Sequence, residues 1–477
     1  MSWIFLILLN VSLLQGQIID DMAIEQAWHF AETQLSETIR IMRHDSTRHP
    51  KVTNNIGQDG NGDWTMTGRG GWTSGFFSGC LWKMAAYSGD STWLDYARRW
   101  TGDLERQKYN DGDHDIGFRM YCSYGQGLLL QPDTSYEGIL HTSAHTLSTR
   151  FDSTIGCIKS WDWKGNYAAI IDNMMNLELL FWSAQNSGNP EFYDMAVSHA
   201  DKTRENHVYI DGSTWHVVDY NDDGSVREKS TQQGYSDASC WSRGQAWGIY
   251  GFTLTYRETG EQRFLETAEL LADYFIEHLP ADWVPYSDFN APNIPNCEKD
   301  ASAAAITCAA LFELDQYSEN DYYTPAVNML KSLIQNYLAE GTGYASILHR
   351  ASQWYTDQER GAIYADYYFL EALQRFSNIE SSVGYDPSTP EQFGLSQNYP
   401  NPFNGSTTFN FELPHAADVK LSIYDITGRH VATLVNGFES AGQHRIHWTA
   451  DQHCSGTYFI QLKAENNLWK KNCTLVK

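Results

Sequence analysis

Three copies of one short pattern set what this chain can fold into. Ser88-Gly89-Asp90 stands shortly before TWLDYA, Ser187-Gly188-Asn189 before PEFYDMA, and Thr259-Gly260-Glu261 before QRFLETA. Four and five residues after each glycine comes a large apolar or aromatic pair (Trp93/Leu94, Phe192/Tyr193, Phe264/Leu265), and eight after it an alanine (Ala97, Ala196, Ala268). Ser318-Glu319-Asn320 before DYYTPAV is a degenerate fourth copy. A glycine that closes one helix in the left-handed conformation, followed at once by a residue that caps the next, makes successive helices antiparallel. Such hairpins recur every 60 to 100 residues over about 360 residues with little strand signal between them, which predicts a closed ring, an (α/α)-type barrel. The funnel of such a barrel lies where its long loops gather. Those are Arg48 to Arg69, Tyr109 to Gly117, Asp211 to Ser239 and Ala281 to Lys299, rich in Asp, Asn, Gly and Pro. Loops of this length in a compact domain usually carry function.

The texture changes after Phe376. Residues 381–392 form a polar, Pro-containing linker, and FNFEL, DVKLSIYDI, HRIHW and GTYFIQL then alternate apolar with polar residues, as half-buried strands do. A small β-sandwich over 393–477 is expected. At the other end, Met1 to Gly16 carries an apolar run from Trp3 to Leu14, too short to span a bilayer, which reads as a secretory signal peptide ahead of a helical domain over 17–380. No later stretch predicts a transmembrane helix. Eight cysteines show no CxxC pair, so no cysteine metal site is expected, and Cys454 with Cys473 is the expected disulfide. Fifty-nine acidic residues against 33 basic ones give a formal charge of -26, which argues against nucleic acid and anionic membrane as partners. The same balance requires any anionic substrate to be met by a local group of positive character. With 17 Trp, 28 Tyr and 21 Phe, the chain has enough aromatic residues to line a sugar site as well as a core.

One acid is out of place. Asp172 lies in Ile170 to Ala184, IIDNMMNLELLFWSA, whose apolar residues surround the helical pattern almost completely. A charged, unpaired carboxylate there costs several kcal/mol. It is therefore hydrogen-bonded, protonated with a raised pKa, or facing a cavity, unless it caps the helix together with Asn173. Metal-like patterns carry less weight. His141 and His145 lack the Glu of a metalloprotease motif, and Asp219-x-Asn221-x-Asp223-Gly224 ends in Ser230 where a calcium loop needs Glu. No metal or other cofactor is expected.

Several motifs agree on one family. Trp72-Thr-Ser-Gly-Phe-Phe-Ser-Gly79, His114-Asp-Ile-Gly-Phe118, the Asp172 segment, Gln233-Gly-Tyr-Ser-Asp237 and Cys240-Trp-Ser-Arg-Gly-Gln-Ala-Trp-Gly-Ile-Tyr250 resemble glycoside hydrolase family 88. So do Asp300-Ala-Ser-Ala-Ala-Ala305 and Ala365-Asp-Tyr-Tyr-Phe-Leu-Glu-Ala-Leu373, and the likeness runs over nearly all of residues 20–378. The resemblance implies an (α/α)6 barrel acting on oligosaccharides whose non-reducing end is a 4,5-unsaturated uronate. It implies hydration of the enol ether, with a proton given to C4 and water added at C5, which needs an acid protonated near neutrality beside a second carboxylate. By motif match Asp172 is the proton donor and water activator, and Asp115 the supporting carboxylate. His216 and Gln233 match positions that hold water or sugar hydroxyls, and Arg243 matches a substrate-carboxylate ligand. Trp72, Trp161 or Trp163, and Trp247 match aromatic walls; Trp163 is the better candidate for core. Arg243 and Trp247 are four apart and share a helix face, a cation beside a stacking platform.

Asn398-Tyr-Pro-Asn-Pro-Phe-Asn404, Ile423-Tyr-Asp425, Gly428-Arg429 and Ser455-Gly-Thr-Tyr458 resemble the C-terminal sorting domain of type IX secretion substrates. That resemblance implies export, with the secretion machinery as a partner, and a secreted or cell-surface location. Two alternatives stand beside the glucuronyl reading. One is an unsaturated rhamnogalacturonyl hydrolase, against which the Asp115 and Asp172 pair with QGYSD and RGQAW argues. The other is a non-catalytic surface carbohydrate-binding protein, against which the full set of polar site residues argues.

Overall fold

The computed structural model describes residues 19–56, 60–164, 166–187, 189–356, 359–384, 393–413, 417–439, 442–450, 452–464 and 467–477. The expected signal peptide, Gly188 of the second pattern copy and most of the linker lie outside them. The chain divides into a helical unit, residues 1–183 with 191–378, and a second unit, residues 379–477 with 184–190.

Helices in the first unit alternate between two kinds. α1 (Asp21–Ile41), α3 (Ser91–Asp103), α6 (Thr134–Ser148), α8 (Pro190–His207), α10 (Gln262–Glu277) and α12 (Tyr323–Ser332) bury one stripe and leave the other face to solvent. Between them lie α2 (Ser74–Ser88), the broken α4 (Ile116–Met120) and α5 (Gln126–Leu130) joined by a π turn, α7 (Leu177–Ser187), α9 (Ser242–Thr259), α11 (Ala301–Leu314) and α13 (Ile363–Gly384). α11 is buried along its whole length, and α2 and α9 over most of theirs, as helices apolar all round must be. Outer and inner helices thus pair along the chain as an (α/α)6 barrel. The hairpin signal holds where it is described: Gly89 and Gly260 close α2 and α9 with φ of 66° and 68°, and Asp90 caps α3 by accepting from the Thr92 N–H. Small residues let the inner ring close tightly. A Cβ on Gly75 would lie 2.3 Å from the Phe118 carbonyl oxygen, so α2 and α4 approach to backbone contact.

Two expectations change. Ile170 to Ala184 is not one helix: β5 (Tyr167–Ile170) runs into a 3-10 turn, Ile171–Asn176, before α7 begins. The backbone of Ile170 is drawn into a sheet by Val217 in β6 (Val217–Tyr220), which pairs in turn with β7 (Val226–Ser230). Part of the expected 211–239 loop is therefore strand. Short hairpins also form from β1 (His49–Thr53) with β2 (Trp64–Thr67), and β3 (Phe151–Asp152) with β4 (Cys157–Ile158).

In the second unit β11 (His430–Glu439), β10 (Ala417–Asp425), β13 (Gly456–Ala464) and β14 (Asn467–Leu475) form one sheet. β12 (Gly442–Thr449), β9 (Ser406–Leu413) and β8 (Gly394–Leu395) form the other. Phe409 and Phe411 of one sheet and Leu421, Ile423, Ile460 and Leu462 of the other share a single buried core, the expected sandwich. Cys454 and Cys473 are both free, Cys454 exposed and Cys473 buried, so the expected disulfide is absent.

Candidate active site

The inner helices share a direction, and their N-terminal ends gather the chemistry. Trp72 precedes α2, Asp115 is the residue before α4, Asp172 lies in the turn before α7, Arg243 is the second residue of α9, and Asp300 caps α11. Trp72, His114, Asp115, Trp161, Trp163, Asp172, Gln233 and Arg243 all line one cavity of about 200 Å³, together with Gln232, Gln353 and Trp354. Of the eight expected catalytic and binding residues, His216 joins the site from one layer behind and Trp247 does not reach it.

Asp172 and Asp115 open to the cavity by only 14% and 15% of their side-chain surface. Burial pushes the Asp172 carboxyl up to about 6, against the pull of His114 and Arg243. For Asp115 burial acts together with the neighbouring Asp113 carboxylate and pushes it up to about 8. Asp113 itself stays ionised because Arg119 grips both its oxygens, at 2.8 and 3.2 Å. Asp172 does not cap α7; its Oδ2 is buried without a hydrogen-bond partner, 3.6 Å from Nε2 of His216.

His216 is fixed in one tautomer. Its Nδ1 accepts from the Gln232 backbone N–H at 3.2 Å, so Nε2 carries the hydrogen and directs it toward Asp172. Trp241 lies against the ring with centroids 4.6 Å apart. Burial lowers the His216 pKa well below 6.5, and burial likewise lowers His114 to about 4, so both imidazoles are neutral. Gln233 donates through Nε2 to the Gln353 carbonyl at 2.9 Å, which holds its amide at the cavity wall.

Three expectations need correction. Arg243 is 1% exposed, and its fork is already engaged: Nη1 pairs with Asp300 Oδ2 at 3.0 Å and donates to the Ser352 carbonyl, while Nη2 donates to Gln353 O at 2.9 Å. It lines the cavity as a charge held from behind, three of its five N–H groups bound to the protein and Nε buried without a hydrogen-bond partner. Trp247 is fully buried between Phe118 and Tyr368, with centroids 5.3 and 5.4 Å away, one turn deeper in the barrel than Arg243. The helix face it shares with Arg243 points along the barrel axis, so the second residue falls below the floor of the site. Trp163 is the reverse case: expected in the core, it is 64% exposed and stacks on Trp161 at 5.0 Å.

Sequence reasoning missed Gln232, Gln353 and Trp354, which belong to loops with no chemical signature, and the Asp300 partnership with Arg243. Only the cap position of Asp300 before Ala-Ser-Ala could have drawn attention to it. A larger cavity of about 730 Å³ lies at the C-terminal ends of the inner helices. Every carboxylate lining it is ion-paired: Glu371 with Lys83 and Arg375, and Glu178 and Glu258 with Arg257. Burial raises Glu371 too, yet Lys83 and Arg375 hold it down to about 2, so it cannot serve as an acid near neutrality. Burial raises Glu178, which Arg257 holds; the smaller cavity is the one that brings Asp172 and Asp115 together.

Residues 40–371 match Glycosyl Hydrolase Family 88, and residues 397–475 match the secretion system C-terminal sorting domain. An unsaturated glucuronyl hydrolase from Formosa agariphila is 44% identical over 323 residues, covering 65% of this chain and 80% of that protein. One from a Bacillus species is 32% identical over 370 residues, covering 74% and 97%. Among solved structures, an unsaturated glucuronyl hydrolase described as specific for heparin superposes with a TM-score of 0.72 at 34% identity, covering 76% of this chain and 99% of its own.

Proposed function

The chain belongs to glycoside hydrolase family 88, and from that premise we propose that it removes a 4,5-unsaturated glucuronate from the non-reducing end of lyase-made oligosaccharides by hydrating the C4=C5 enol ether. The observation that carries the reading is the pair of poised acids, Asp172 and Asp115, in one small aromatic-walled cavity. Asp172, partly protonated near neutral pH, gives its proton to C4. The double-bond electrons form the new C4–H bond, and positive charge develops at C5, shared with the ring oxygen. Water adds at C5 and returns a proton to the Asp172 carboxylate, which the neutral His216 Nε2–H orients from the other side. The C5 hemiketal opens by breaking its bond to the ring oxygen, giving a C5 ketone and a hemiacetal at C1. The hemiacetal collapses to the aldehyde, its hydroxyl proton passes to the glycosidic oxygen, the C1–O bond to the next sugar breaks, and the shortened oligosaccharide leaves. Asp115, held neutral, donates a hydrogen bond to the sugar without adding negative charge beside an anionic substrate. Gln233 binds hydroxyls, and Trp72, Trp161 and Trp163 supply apolar faces for the rings. The protein is exported, with its C-terminal domain as the address read by the type IX machinery.

The unsaturated uronate absorbs in the ultraviolet and loses that absorbance on hydration, whereas binding alone leaves it unchanged. A panel of lyase-made disaccharides should therefore bleach with the wild-type chain. With Asp172→Asn, turnover should fall about 10²-fold or more while substrate still binds, since a positioned acid contributes on that scale. Near wild-type kcat in the variant would sink the assignment.

A further inference from the structure

Asp300 does not line the sugar cavity, yet Arg243 of its wall and the loop that carries Gln353 and Trp354 both end on its carboxylate. It is fully buried at the N-terminus of α11, where Oδ1 accepts from the Ser302 and Ala303 backbone N–H groups at 3.0 and 3.4 Å. The same oxygen accepts from the Ser352 N–H at 3.2 Å, and Oδ2 takes the Arg243 guanidinium at 3.0 Å. Arg243 in turn donates to the carbonyls of Ser352 and Gln353, and the Tyr364 hydroxyl donates to Ser352 O at 3.1 Å. Residues 351–355 are thereby tied down as a strap, and Gln353 and Trp354 within it form part of the cavity wall. The strap also holds its neighbour: Gln353 O accepts from Gln233, and the Tyr355 N–H donates to Gln233 O at 3.0 Å. At its base Arg350 adopts a φ of 59°, a left-handed conformation that a non-glycine residue keeps only under constraint, and the Ala301 N–H donates to its carbonyl at 2.9 Å.

Resting on the hydrolase reading, we propose that Asp300 is a positioning residue of the hydration reaction: through Arg243 it holds the 351–355 strap against the sugar site and shields Asp172 from the full charge of Arg243. The charged and titratable groups around Asp172 are His114 and Asp115 at the start of α4, His216 ahead of β6, and Arg243 on α9. Both histidines are neutral near pH 7, so of these neighbours Arg243 is the one that keeps its positive charge there. Its field favours the ionised form of Asp172 and so opposes proton donation, and the Asp300 carboxylate offsets that field.

Asp300→Asn separates this role from a merely structural one. Asn keeps an oxygen for the Ser302, Ala303 and Ser352 N–H groups, while its NH2 replaces the oxygen that accepts from Arg243, so the charge and that one hydrogen bond are lost together. Steady-state kinetics of the full chain over pH, on the disaccharide that the wild type turns over fastest, should show KM raised about tenfold. The high-pH limb of kcat/KM should also move down by about half a unit or more, because the unshielded guanidinium stabilises the Asp172 carboxylate. Tyr364→Phe, which removes one strap tether and no charge, should raise KM while the limb stays in place. A folded Asp300→Asn enzyme with wild-type KM and an unmoved limb overturns the proposal. If that variant does not fold, an unchanged KM in Tyr364→Phe overturns it instead. A wild-type chain with no turnover on any disaccharide overturns the hydrolase reading and this inference with it.

Discussion

Asp172, Asp115 and Glu371 are three buried carboxyls whose protonation differs because their neighbours differ. Glu371 has two cations on it and stays ionised; Asp115 has a carboxylate beside it and stays neutral; Asp172, between a guanidinium and neutral imidazoles, lies near 6. Because Asp172 acts as an acid, activity requires its protonated form. The proposed kcat/KM therefore falls as pH rises through about 6, and a pH-rate profile of the full chain should place its alkaline limb there. Asp115 makes a second prediction, on stability. Its folded pKa, about 8, exceeds the unfolded value, so the native state binds the proton more tightly; folding is penalised progressively as pH rises from about 4 towards 8. Asp115→Asn removes the titration while keeping the shape. Melts across this range should show the variant gaining on the wild type as pH rises, with the gap closing near pH 4, even as its turnover drops. A constant difference between the two would mean that Asp115 is ionised in the native state.

At the scale of elements, the two ends of the inner helices carry opposite character. Below the site, Arg257 in the last turn of α9 pairs with Glu178, Glu258 and Glu313 at 2.6 to 2.8 Å, and Arg375, midway along α13, pairs with Glu313 and Glu371 at 2.9 and 2.8 Å. Arg257 complements the dipole of α9, and Glu313 of α11 ties α9 to α13 through both arginines. Glu313→Ala leaves two guanidiniums short of a partner, and should cost about 3 kcal/mol, the low end of the range for a broken buried pair, read as a lower denaturation midpoint. The sequence makes the inner helices legible because residues buried on all sides leave no polar stripe, as in α11. It makes Asp172 and Asp115 legible because an acid in an apolar or family-specific setting stands out. Arg243 and Trp247 were read correctly as sharing a helix face and wrongly as sharing a site, since spacing gives direction around a helix and not depth along the barrel. Trp163 misled in the opposite way: aromatic character predicts burial on average, and here the ring is held out by stacking on Trp161. The strands β6 and β7 were missed because they are four or five residues long inside a stretch with strong loop composition, and β5 because its Ile170 continues the apolar pattern read as a helix.

The whole molecule sets one more relation, between its two units and its charge. The unit division after Asn378 predicts that a chain ending there folds and hydrolyses as well as the full protein; an insoluble or inactive product would make the β-sandwich part of the barrel's stability. The charge poses a harder problem, because a chain of net charge -26 must admit an anion. Arg243 is paired with Asp300 and gives little net attraction at a distance. What remains is short-range: the N-terminal ends of α2, α4 and α9 meet the cavity at Trp72, Asp115 and Arg243 and present the positive ends of their dipoles, an effect that fades within a turn. Long-range repulsion therefore opposes encounter while local polarity favours binding, and salt screens the first far more than the second. Raising ionic strength from about 10 mM to about 150 mM shortens the screening length from about 30 Å to about 8 Å. Over that range kcat/KM for an unsaturated disaccharide should rise roughly two- to threefold with kcat unchanged, and a substrate whose carboxylate is esterified should show no such rise. A fall in kcat/KM with salt would mean that attraction at the funnel reaches beyond the screening length and outweighs the acidic surface.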